Sequence, residues 1–143
     1  NRKTGETNKI INLKIKSALK SGLKVIFCVG ETIQEKRKKI TKQVLKKQIN
    51  LGLNKIKNKK DIIIAYEPVW SIGSGLVPVS KELFDTIDFI KKNFKKYKVL
   101  YGGSVNPKNI LELKLINNID GFLIGGASQD TNKFIDIIRK TYN

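Results

Sequence analysis

Residues 65–75 read AYEPVWSIGSG: the end of an apolar run, a single carboxylate at Glu67, a proline, a tryptophan, and a loop with two glycines. Pro68 confines the residue before it to extended backbone, so Glu67 leaves its strand in a defined direction. A carboxylate set among Trp70, Ile72 and other apolar groups is desolvated, which raises its pKa and strengthens it as a base. Glu-Pro alone better fits a strand-end glutamate paired with a lysine. With the loop from Pro68 to Gly75 attached, the stretch reads as a base beneath a mobile lid.

Outward from this stretch, short apolar runs recur at 25–29, 62–66, 99–101 and 121–124. They are rich in β-branched and aromatic residues and continuously apolar, as in strands buried on both faces of a parallel sheet. Between them lie amphipathic segments of helical length. Residues 8–20 form a first helix, and 41–56 place Val44, Leu45, Ile49 and Leu53 on one face. Ser80 caps a helix through Leu83, Phe84, Ile87 and Ile90. Asn106 caps another that starts with Pro107 and carries Ile110, Leu111 and Leu113. A last helix covers 133–140, and residues 1–6 are a polar entry loop. This alternation is the pattern of an α/β fold with right-handed crossovers, as an open sheet or part of a barrel. No linker or internal boundary interrupts residues 1–143, which read as one domain. Four strands are too few for a closed eight-stranded barrel, so half a barrel leaves two strand edges and one sheet face uncovered.

Composition limits the functions available. The net charge of +17 invites a nucleic-acid reading, but only three of the 29 basic residues are arginine. Bidentate grips on phosphate and bases lean on arginine, and lysine here is spread over every helical segment. The charge is therefore read as a solvated lysine surface, with no nucleic-acid partner. No apolar run approaches a membrane span, so no membrane partner is expected either. The one cysteine, Cys28, cannot form an internal disulfide, which fits a reducing cytoplasm. Inside its apolar run it reads as a buried structural thiol. Without histidine and with scattered carboxylates, no metal site or cofactor is implied.

In parallel α/β folds, function sits on the loops after the strands. Here those loops carry Gly30-Glu31-Thr32, then Glu67 with its lid, then Gly102-Gly103-Ser104, and finally Gly125-Gly126-Ala127-Ser128. Glu31 reads as a loop anchor or helix cap. Each glycine pair lets backbone N–H groups converge into an anion nest, although either alone is better read as a tight turn. Two such loops after the last two strands point to a phosphate site.

Together these motifs resemble the triosephosphate isomerase family, in its C-terminal portion. Residues 65–75 nearly reproduce that family's signature, with Ser74 where threonine is usual. Cys28-Val29-Gly30-Glu31-Thr32, Tyr101-Gly102-Gly103-Ser104-Val105 and residues 120–128 follow in the family's order and spacing, so the likeness covers essentially the whole chain. It implies the C-terminal half of a (β/α)8 barrel, strands five to eight, and a cytoplasmic glycolytic and gluconeogenic isomerase. Its substrate would be a phosphorylated triose, with dihydroxyacetone phosphate and glyceraldehyde 3-phosphate interconverted through an enediolate. The mechanism comes from the resemblance: Glu67 shuttles a proton while the lid excludes water. It further implies that the N–H groups of Gly73, Ser104, Gly125 and Gly126 grip phosphate. Ile72 and Leu123 clamp the base, and Tyr101 and Ser104 hold the closed lid.

The family also needs an asparagine–lysine pair after its first strand and a neutral histidine after its fourth, and neither can be assigned here. The resemblance implies that roughly the first 40% of a 250-residue barrel is absent, including the loop through which the family forms homodimers. These 143 residues alone are accordingly expected to be inactive. The alternative is a non-catalytic half-barrel that binds phosphorylated ligands through its glycine loops and leaves Glu67 idle.

Overall fold

The computed structural model describes residues 5–142, so residues 1–4 of the expected entry loop lie outside it. Strands β1 (Val25–Val29), β2 (Ile62–Tyr66), β3 (Val99–Tyr101) and β4 (Gly121–Phe122) form one parallel sheet in the order β1-β2-β3-β4. Helices α1 (Asn8–Lys20), α2 (Ile33–Arg37), α3 (Thr41–Gly52), α4 (Ser80–Asn93), α5 (Ile110–Leu113) and α6 (Thr131–Tyr142) alternate with the strands. This is the α/β architecture of part of a (β/α)8 barrel. Among the described residues no helix is long and apolar enough to cross a membrane.

The first three strands match the expected runs; the fourth is shorter. Beyond Phe122 the ladder continues only as the Leu123 N–H donating to the Tyr101 carbonyl at 2.9 Å. Register links Val29 to Tyr66 and Tyr66 to Tyr101, so these strands end at one level. The helix expected at 41–56 stops at Gly52. There Asn12 of α1 donates its amide to the carbonyls of Gly52 and Asn54 at 2.8 and 3.0 Å, satisfying acceptors that a helix end leaves open. Ser80 is not the cap it was expected to be. It is the first residue of α4, and its hydroxyl donates to Glu112 at 2.6 Å. Asn106 does cap a turn through Pro107, its Oδ1 accepting from the Lys108 N–H at 2.9 Å, but regular helix begins only at Ile110.

One sheet face meets the helices. Phe27, Val29, Ile62, Ile64, Val99 and Tyr101 pack there with Leu45, Ile49, Leu83, Ile87 and Ile90. The continuous apolar pattern predicts burial on both faces, but Ile26 and Cys28 are exposed. Alternate side chains of a strand point to opposite faces, and this one is open at the edge strand β1, although Ala65 of β2 on the same face is fully buried. Cys28 is therefore not the buried structural thiol its setting implied.

Candidate active site

Glu67 immediately follows β2, its N–H still in the ladder and donating to the Val29 carbonyl at 2.8 Å. Its half-buried side chain lines a cavity of about 760 Å³ with Ile15, Phe27, Cys28, Val69 and Ile72, beside β1, the edge strand of the sheet among the described residues. Burial holds the carboxyl above the ordinary carboxylate range, and a hydrogen bond from the Cys28 thiol partly offsets this. Although Cys28 as a residue is exposed, its thiol lines this cavity and is in turn pushed up to about 12, first by partial desolvation and then by the Glu67 charge. A carboxylate raised this way is a stronger base than one in water and remains available to take a proton.

Trp70 is arranged differently from the sequence expectation. The indole is tied to Glu31, its Nε1–H donating to that carboxylate at 2.8 Å while the Lys36 ammonium sits 4.3 Å from the ring centroid. Glu31 is fully buried and also accepts from the Tyr66 hydroxyl at 3.2 Å; its carbonyl accepts from the Val69 N–H at 3.0 Å. Burial raises the Glu31 pKa, and the hydrogen bonds from Trp70 and Tyr66 oppose that rise. Glu31 is thus the loop anchor that sequence implied, and what it anchors is the first turn of the lid. Lys36 also pairs with Glu82, tying α2 to α4.

The lid turns through Gly73 and Gly75, both at positive φ, where a side chain would be strained. Ser71, buried beneath it, was not singled out by sequence. Its hydroxyl donates to the Leu76 carbonyl at 2.5 Å and accepts from the Ser104 N–H at 3.2 Å, with the Tyr101 hydroxyl 3.3 Å away. Ser104 Oγ donates to the Ser71 carbonyl at 2.5 Å and accepts from the Gly75 N–H at 3.1 Å. The structure therefore brings Tyr101 and Ser104 to the lid. In this arrangement the Ser104 N–H is engaged by Ser71.

The two glycine pairs differ. Gly102 and Gly103 are buried, and the Gly102 N–H donates to the Tyr66 carbonyl at 2.9 Å, so this pair presents no open nest. Gly125 and Gly126 are exposed where a short 3-10 turn (Gly126–Gln129) begins, and first-turn N–H groups have no partner within such a turn. The carbonyl of Gly125 accepts from both the hydroxyl and the N–H of Ser128, at 2.7 and 2.9 Å. Ile72, 54% exposed on the lid, lines the Glu67 cavity, whereas Leu123 is not part of that lining. No His, Cys, Asp or Glu cluster among the described residues could hold a metal ion.

Sequence reading also missed Gln48. Although polar, it lies on the buried face of α3 beside Leu45 and Ile49. Its amide closes a ring on Gly30, Oε1 accepting from the Gly30 N–H at 3.0 Å and Nε2 donating to the Gly30 carbonyl at 2.9 Å. A polar residue within an apolar helical stripe was the available signal.

A strand-end carboxylate, an anchored glycine lid and an exposed glycine turn after the last strand form one constellation. The family model described as triosephosphate isomerase matches residues 1–141. The chain belongs to the triosephosphate isomerase family. It is 42% identical over 142 residues to a triosephosphate isomerase of Thermodesulfovibrio yellowstonii, covering 94% of this chain and 58% of the relative. With that of Leptospira biflexa serovar Patoc it shares 44% identity over 148 residues, covering 94% and 59%. With that of Dictyoglomus thermophilum the figures are 42% over 145 residues, 94% and 58%. The chain thus spans somewhat under two thirds of the length of the curated triosephosphate isomerases it matches.

Proposed function

We propose that this chain carries the base, lid and phosphate-binding side of a triosephosphate isomerase site, for interconverting dihydroxyacetone phosphate and D-glyceraldehyde 3-phosphate. The observation that carries this reading is Glu67: a desolvated carboxylate at a strand end, facing a cavity beside a glycine-hinged lid. Glu67 takes a proton from the carbon next to the carbonyl and returns it to the neighbouring carbon of the enediolate. Ile72 on the lid limits water at the base. The N–H groups of Gly125 and Gly126 receive the phosphate, joined by those of Gly73 and Ser104 once the lid rearranges and Ser71 releases Ser104.

Abstraction from a carbon acid also requires stabilisation of the developing oxyanion. The sequence contains no histidine, and the Lys14 ammonium lining the cavity is paired with Glu6. We therefore propose that these 143 residues alone do not turn over substrate. In the complete site the molecule would act in the cytoplasm as a homodimer.

A coupled isomerase assay tests both parts. The chain alone should show no rate above background; a rate abolished by Glu67→Gln would refute the proposed inactivity. Fused to the portion of the Leptospira relative that it does not cover, the folded chain should gain isomerase activity that Glu67→Gln removes. A folded fusion whose rate ignores that replacement would refute the role of Glu67. Titration with inorganic phosphate should shift the Gly125 and Gly126 amide resonances. Shifts in a folded but inactive fusion would favour the non-catalytic phosphate-binding half-barrel.

A further inference from the structure

Gly30, Glu67 and Gly102 are the residues directly after β1, β2 and β3. They stand side by side because Val29 pairs with Tyr66 and Tyr66 with Tyr101. The ladder extends through them: the Glu67 N–H donates to the Val29 carbonyl and the Gly102 N–H to the Tyr66 carbonyl. Neither glycine has positive φ, so the backbone conformation does not require glycine at either position. Glu67 itself excludes side chains there. A Cβ at residue 30 would lie 1.8 Å from the Glu67 carbonyl oxygen and 2.5 Å from its carbon. One at residue 102 would lie 2.6 Å from the Glu67 Cγ and 2.7 Å from Oε1.

We infer that Gly30 and Gly102 are positioning residues for Glu67, a clamp in which Gly30 seats its peptide and Gly102 leaves the space that its carboxylate occupies. The inference rests on the reading of Glu67 as the base but concerns where that carboxylate sits. The two glycines act differently. At Gly30 the obstruction is backbone, held on the other side by the Gln48 ring, so a side chain there must distort the strand end. At Gly102 the obstruction is a side chain that can swing away by rotating about its own bonds. Gly102→Ala should therefore keep the fold and displace the base.

Turnover is not needed for the test, so failure of the isomerase reading remains separable from failure of this one. In a stability cycle, Gly102→Ala should lower the urea midpoint of the parent chain but leave a Glu67→Ala chain unchanged, because Glu67→Ala removes the atoms being struck. A general packing role for Gly102 would lower both midpoints equally, and that result would overturn the inference. Cys28, exposed and beside the carboxylate, supplies a second readout through its alkylation rate at pH 8. Glu67→Gln should raise that rate, by about tenfold for each pKa unit the lost charge releases. Gly102→Ala should raise it too, while Gly102→Ala combined with Glu67→Gln should add nothing further. An alkylation rate unchanged by Gly102→Ala in a folded chain would equally overturn the inference.

Discussion

Replacing Gln48 by leucine tests how far the site depends on a contact invisible along the chain. The Gln48 amide makes two hydrogen bonds to the Gly30 backbone, at 3.0 and 2.9 Å, in a buried setting. Leucine keeps most of the side-chain volume but strands one N–H and one C=O away from water. At about 2 kcal/mol for each buried, unsatisfied group the loss is about 4 kcal/mol. The extra apolar burial of leucine returns about 1 kcal/mol, leaving a net loss of about 3 kcal/mol. With an unfolding entropy of about 2.1 cal/mol/K per residue, that lowers the melting temperature of a chain this long by about 10 °C. Equilibrium urea unfolding and thermal melts followed by circular dichroism measure it. Gln43→Leu on the exposed side of the same helix is the control and should change stability by no more than about 0.5 kcal/mol. A Gln48→Leu loss under about 1 kcal/mol, or one equal to the control, would refute the claim that the Gly30 backbone relies on this amide.

Two further outcomes follow from the lid and the base. Ser71→Ala removes the hydroxyl that joins the Leu76 carbonyl to the Ser104 N–H, a loss of about 1–2 kcal/mol. Amide exchange in residues 72–76 should then speed up by about 5–30-fold while that of β2 is unchanged, and equal rates in both chains would contradict the assignment. The pH dependence of stability follows from the raised pKa values of Glu67 and Glu31, both caused mainly by burial. A carboxyl raised in the folded state contributes stability that is fully present below its unfolded value and lost as pH rises through the folded value. Glu67→Gln removes one such group, so its urea midpoint relative to the parent should be higher at pH 7.5 than at pH 4. A difference that is the same at both pH values would show that Glu67 is not desolvated in the folded chain.

Much of the fold was legible because its physics is local. Continuous β-branched runs named β1, β2 and β3 to the residue, and the helix expected at about 8–20 is α1. Where boundaries moved, a distant partner decided. Asn12 closes α3 from another helix, and Glu112 takes the Ser80 hydroxyl away from a capping role. At the site, Glu67 and the glycines of the lid were readable from their neighbours in sequence. The orientation of Trp70 was not, since it depends on a carboxylate 39 residues away. Ser71 and Gln48 were passed over because an isolated serine or glutamine does not reveal which distant backbone groups it serves.

By itself, the sequence determined the parallel α/β architecture, the family likeness and Glu67 as the candidate base, all carried by short-range patterns of apolar, glycine and proline residues. Only the tertiary structure decided which hydrogen bonds hold the lid and that one of the two glycine pairs is already engaged. It also decided that Cys28 stands exposed beside the carboxylate and that two glycines frame Glu67. Those features depend on which residues three neighbouring strands bring to the same level, and register is a relation between segments that no single segment encodes.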